Sequence, residues 1–180
     1  MKKPAKQRPN RKVVSAEEFR LVNKRGKCKE KLCLNGDGGP SLAFLDDRGK
    51  LRFSIYLHSD QVGIELLSKK EKVRASLGVA SNGQPSLQLL DGDEQVHACL
   101  EMGTKGDPGL DLYDKAGNLR ASLSLMGKEP IANLAVIDRN GKRHKVVHKD
   151  HRSDAALAFY DEKEEGVVMV GPGPWEDHAQ

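Results

Sequence analysis

Acidic residues recur at one position along the chain: Asp46, Asp91, Asp114, Asp138 and Asp161, with Asn23 as the first of the series. A column of carboxylates on one edge could hold metal ions. Each of these side chains also stands at the start of a turn, where it can accept hydrogen bonds from its own backbone, and that accounts for Asp or Asn without a ligand. Glycine-bearing calcium repeats have a nine-residue period and several aspartates per turn, which this chain lacks. A second column, Lys29, Arg52, Arg74, His97, Arg120 and His144, is cationic. Its members fall two strands apart, about 9–10 Å, so their repulsion is tolerable near a Debye length. Glu65, Glu101 or Asp111 could pair with them, which makes a solvated face the first reading and an anion track the second.

The dense histidine group is His144, His148 and His151. On a strand, His144 and His148 share a face about 13 Å apart, too far to grip one metal, whereas a helix would gather all three. A turn at Asp138–Gly141 puts them on a strand, so no metal is expected. Catalytic patterns are missing too: no Ser-His-Asp order, nucleophile elbow, phosphate-binding loop or metalloprotease helix occurs. A non-catalytic protein without cofactors is expected. With eight aromatic residues (Trp 1, Tyr 3, Phe 4) in 180, stacking surfaces for sugars are scarce.

The elements that carry these residues are short β-strands. Apolar residues alternate with polar ones, and turn residues fall every ten to twelve positions, which disfavours helix throughout. Aligned on their turns, seven two-stranded hairpins repeat with a period of about 23 residues. They span Phe19–Leu34, Ser41–Leu57, Gly63–Val79, Ser86–Met102, Gly109–Leu125, Asn133–His148 and Ala156–Val170. In Asp114-Lys-Ala-Gly117 the aspartate opens the turn and the glycine takes the left-handed position that closes a bulged hairpin. Gly39-Pro40, Gly83-Gln-Pro85 and Gly106-Asp-Pro108 punctuate the joints between hairpins.

Strand parity separates two faces. In the second strands one face carries Leu51, Phe53, Ile55 and Leu57, then Val73, Ala75, Leu77 and Val79, then Val96, Ala98, Leu100 and Met102, then Leu119, Ala121, Leu123 and Leu125. The other carries Arg52 and Ser54, Arg74 and Ser76, His97 and Cys99, Arg120 and Ser122. That is the alternation of a sheet with one wet and one dry side. At roughly 1.5–3 kcal/mol per buried large aliphatic side chain, the apolar face calls for a cover. Three solutions follow: closure into a barrel or propeller, folding over as a sandwich or solenoid, or association of copies. Association is favoured, with three sheets sharing a prism-shaped core as one arrangement. Glu30 in the first hairpin, and Arg143 and Lys145 in the sixth, bring charge into the apolar columns and read as caps that end the array.

The fold class expected is therefore all-β: an antiparallel meander of seven hairpins, solenoid-like or prism-like, with little or no helix, over residues 13–170. Residues 1–12 read as a disordered basic arm and 171–180 as a C-terminal tail. The arm holds Lys2, Lys3, Lys6, Arg8, Arg11 and Lys12 without an acid. Removing those six from the 30 basic residues leaves 24 against 26 acidic ones, so the net charge of +4 becomes −2 for the body. Basicity belongs to the arm, which could attach to nucleic acid or another polyanion in a salt-dependent, sequence-blind way. Trp175 reads either as a plug on the last hairpin or as an anchor for a protein partner. Cys28, Cys33 and Cys99 form no C-x-x-C pair and are odd in number, so reduced thiols are expected. No apolar run approaches the roughly 20 residues of a membrane span, and the opening lacks a signal-peptide core; a cytoplasmic location without a membrane is expected.

The unit P/G-x-L-x-L-x-D-x-x-G-x-x-R-x-x-L, following an opening like Val14-Ser-Ala-Glu-Glu-Phe19, resembles tandem β-hairpin repeats of uncharacterised bacterial proteins over about residues 14–170. It is loosely similar to the Tyr-Asp repeats of Rhs-type shells, of which Tyr113-Asp114 and Tyr160-Asp161 keep the defining pair. The resemblance implies a structural or surface role and supplies no catalytic residues. Two functions are thus expected: a structural scaffold or adaptor that self-associates and contacts other proteins, or a nucleic-acid or ribosome-associated factor that binds through its arm.

Overall fold

The computed structural model describes residues 13–103, 105–126, 131–148, 156–160 and 166–170, with side chains over 13–103, 105–125 and 132–142. The arm with Lys2, Lys3, Lys6, Arg8, Arg11 and Lys12, the tail with Trp175, and His151 lie outside the described residues, as do the side chains of His144 and His148.

Fourteen strands form one antiparallel sheet in strict chain order. They are β1 (Glu18–Val22), β2 (Cys28–Leu34), β3 (Pro40–Leu45), β4 (Leu51–His58), β5 (Gln61–Leu67), β6 (Val73–Val79) and β7 (Pro85–Leu90). The second half comprises β8 (Val96–Met102), β9 (Pro108–Tyr113), β10 (Leu119–Met126), β11 (Ile131–Ile137), β12 (Arg143–His148), β13 (Ala156–Tyr160) and β14 (Gly166–Val170). No helix occurs among the described residues.

Turn chemistry sets this order. In the fifth hairpin the Asp114 N–H donates to the Asn118 carbonyl at 2.9 Å and the Gly117 N–H to the Asp114 carbonyl at 3.0 Å. Gly117 sits at φ 79°, where a side chain would be strained, and the register slips by one residue between Leu119 and Ala121. This is the bulged turn that Asp and Gly three positions apart imply. The joints between hairpins use the same geometry. Asn35 with Gly39, Ala80 with Gln84 and Gly103 with Asp107 close matching pairs of backbone bonds. Pro40, Pro85 and Pro108 each open a strand, one of the few places where a ladder tolerates a missing N–H. The joint of β4 to β5 differs: His58 pairs with Gln61 directly, and Ser59 takes φ 50°.

Of the three ways to cover the apolar face, two are absent within the chain. Each strand contacts only its immediate neighbours among the described residues, and β1 and β14 remain outer edges that do not pair with one another. Among the described residues the sheet neither closes into a barrel nor folds over on itself, because each strand pairs with the next one in the chain.

Candidate functional site

Register assembles the apolar side chains into long rows. Phe19, Leu32, Leu42, Ile55, Ile64, Leu77 and Leu87 are successive cross-strand partners. The row continues without a slip through Leu100, Leu110, Leu123, Leu134, Val147, Leu157 and Val170. This central row crosses all fourteen strands without a polar residue. Beside it, nearer the turns, runs a second row: Glu30, Phe44, Phe53, Leu66, Ala75, Leu89, Ala98, Leu112, Ala121, Val136 and Lys145. From β5 to β10 the second row alternates leucine on odd strands with alanine on even ones. Phe44 and Phe53 meet edge to face with ring centroids 5.3 Å apart.

Among the described side chains, the leucines of the central row are open to solvent within the chain. Leu77 is 50% exposed, Leu100 47% and Leu123 49%. A shallow apolar trough of about 410 Å³ lies on this face between Leu100, Pro108, Leu110, Leu123, Leu125 and Ala132. A second, of about 270 Å³, adjoins it and shares Leu100 and Pro108.

The opposite face, expected to be the wet one, is the better covered. Cys99 is 4% exposed and Ser54 8%, although both lie among polar neighbours. Long side chains beside small ones produce this coverage. Tyr56 lies over Gly63, where a Cβ would come within 2.6 Å of the tyrosine hydroxyl oxygen. The Ser54 hydroxyl donates to Glu65 at 3.4 Å and the Cys99 thiol to Glu101 at 3.5 Å. Burial, with the Glu101 carboxylate as a smaller contributor, pushes the Cys99 thiol pKa up, and burial with Glu65 does the same for Tyr56. An apolar residue just before each turn, such as Leu45, Leu67 or Leu90, breaks the alternation and falls on this face, with Leu67 buried. Its position before each turn was the sequence signal for this second apolar set.

The acidic column serves the turns, apart from Asp161, which lies outside the described residues. Asp46 Oδ1 accepts from the amides of Arg48 and Lys50 at 2.8 and 3.0 Å, and Asp91 does so from Asp93 and Gln95. Asp138 accepts likewise from Asn140 and Lys142, and Asn23 from Arg25 and Lys27. The Asn118 amide, aided by Arg120 and opposed by partial desolvation, holds the Asp114 carboxyl far below the usual carboxylate range. No group of three potential metal ligands occurs among the described residues.

The described members of the cationic column, Lys29, Arg52, Arg74, His97 and Arg120, are engaged, with partners other than Glu65, Glu101 and Asp111. Arg120 pairs with the turn aspartate of its own hairpin, Asp114, at 2.5 Å and donates to the Asp138 carbonyl of the next. His97 meets Asp91 Oδ2 at 3.1 Å and Lys29 pairs with Asp47. Arg52 and Arg74 donate to the carbonyls of Leu67 and Leu90 in the following hairpins, at 3.0 and 2.8 Å. Apart from His97, which stays within its own hairpin, these residues staple hairpin to hairpin, which explains why they sit just after each turn.

Two further ties link neighbouring turns. Glu71 and Glu94 occupy the place that glycine takes elsewhere, at φ 61° and 64°. Glu71 accepts from Lys50 Nζ at 2.5 Å and from the Leu51 amide at 3.2 Å. Glu94 accepts from Lys72 Nζ at 2.6 Å and from the Val73 amide at 3.0 Å. Both carboxyls are held below their usual range, first by the lysine hydrogen bond. These contacts offset the backbone strain of a non-glycine residue there.

No helix among the described residues is long and apolar enough to cross a membrane. No family model matches the chain and no curated protein matches it significantly.

Proposed function

We propose that the protein is a non-catalytic structural repeat protein, a scaffold or adaptor that covers its apolar face by self-association. One observation carries the reading: the central row is apolar across every strand, and nothing within the described chain lies over it. Fourteen strands at about 4.8 Å spacing, each about 20 Å long, present roughly 1,250 Å² on that face. A stable interface takes about 800 Å² from each partner. Many described polar groups of the other face and of the turns are committed to one another, which suits a stiff support better than a reactive site. On this reading the basic arm and Trp175 are the segments available to anionic and protein partners. The resemblance to bacterial hairpin repeats agrees with a structural role.

Sedimentation of the purified chain at micromolar concentration tests the proposal. A mass at a multiple of 19.8 kDa is expected, and a monomer at every concentration would overturn it.

A further inference from the structure

Resting on that self-association, we infer that the occupant of the apolar face is one second copy of the chain, stacked face to face and reversed end for end. The two-fold axis runs parallel to the strands and passes between β7 and β8. Such an axis keeps each row over the same row of the other copy but reverses its order, so an odd-numbered strand always meets an even-numbered one.

The second row favours this arrangement. Leu89 in β7 lies over the partner's Ala98, Leu66 in β5 over the partner's Ala121, and Leu112 in β9 over the partner's Ala75. Large residues therefore meet small ones along the middle of the interface, as close packing of two sheets about 10 Å apart requires.

Charge gives an independent reason. The second row carries Glu30 in β2 and Lys145 in β12 by register, opposite in sign and near opposite ends. Reversal places β12 of the partner one strand from the position facing β2. The backbone positions of Glu30 and the partner's Lys145 then lie one strand apart across the two sheets, twice per dimer. Assemblies around an axis running along the meander, the prism included, keep every Glu30 at one end and every Lys145 at the other. A reversed pair also tolerates sheet twist, since the two copies coil about a common line with their strands parallel at each level.

Spin-label distances test the geometry at exposed turns that leave the interface untouched. In a background with Cys28→Ser, Cys33→Ser and Cys99→Ala, single nitroxides are placed at Asp93→Cys, on the central turn, or at Arg25→Cys, on the first. Reversal predicts a short intermolecular distance at 93, about 10–30 Å, and one beyond about 50 Å at 25, twelve strand spacings away. Equal short distances at both sites would overturn the arrangement. A trimeric mass would overturn it while leaving self-association standing, and a monomer would overturn both. The unsubstituted chain supplies a second measurement. After isotopically heavy and light copies are mixed, carbodiimide coupling should join Glu30 of one to Lys145 of the other; coupling confined to the partner's first hairpin would overturn the proposal.

Discussion

Leu100 and Cys99 are neighbours in β8 on opposite faces, and their environments are the reverse of what their chemistry suggests. The leucine is 47% exposed and the thiol 4%. The polar face is complete in a single chain because its side chains differ in length and hydrogen-bond to each other, turn aspartate to arginine and arginine to the next hairpin. The apolar face has no such means of covering itself, since one layer of aliphatic side chains can be buried only by a second layer. The difference teaches that one face stabilises the chain as a unit while the other is left uncovered within the described chain.

The strongest way to break this contrast is a charge in the central row. Leu100→Asp should abolish association in sedimentation, whereas Cys99→Ser should leave the mass unchanged. A gentler version separates covered from uncovered leucine. Leu100→Ala should cost about 2–5 kcal/mol by denaturant titration if the face is packed, and less than about 0.5 kcal/mol if it stays open.

On the polar side, Arg120→Ala removes both the Asp114 pair and the tie to the Asp138 carbonyl. The expected fall in melting midpoint is about 2–4 °C by circular dichroism, without a change in mass. Acid should act on the same edge. Asp46, Asp91, Asp114, Glu71 and Glu94 all have carboxyl pKa values depressed in the folded chain. Their stabilisation is complete above the unfolded carboxyl value, about pH 4, and is lost as pH falls through the lower folded values. Melting midpoints measured between pH 6 and pH 2 should therefore fall below about pH 4, with the Asp114 turn the last to respond.

The smallest effects sharpen the comparison. Cys99 should alkylate more slowly than Cys28 and Cys33 at neutral pH, because burial disfavours its thiolate; peptide mapping after a timed iodoacetamide pulse would show the order. Exchanging the charges at 30 and 145 together should restore whatever association either single reversal loses, a difference of about 0.2–1 kcal/mol.

Much of the fold is legible in the residues because its determinants are local. Asp and Gly three positions apart specify the turn, and the two-residue alternation specifies the face away from the bulges, so the hairpins and the phase of the central row follow from short windows; the bulges pair Val73 and Val96, read by parity as apolar-face residues, with Leu67 and Leu90 of the other face. The ties between hairpins are not legible in this way. Lys50 and Glu71 lie 21 positions apart, and their meeting depends on the tight joint at Ser59 and on a glutamate accepting a left-handed backbone. The burial of Ser54 and Cys99 depends on Tyr56, Glu65 and Glu101 reaching across strands, which alternation does not encode. The candidate interface was visible as an apolar column, but its unbroken passage through the central row required the register.

Strict neighbour-only pairing makes the molecule nearly one-dimensional. Its strand contacts among the described residues join only adjacent strands, so a nucleus can form at any hairpin and grow outward like a zipper, and hydrogen exchange should spread inward from the two outer strands. One unit of about 23 residues contributes two strands and thus leaves parity unchanged. Hairpins can be gained or lost without moving a single side chain of the remainder to the other face, and the span of the support becomes a quantity that duplication alone can set.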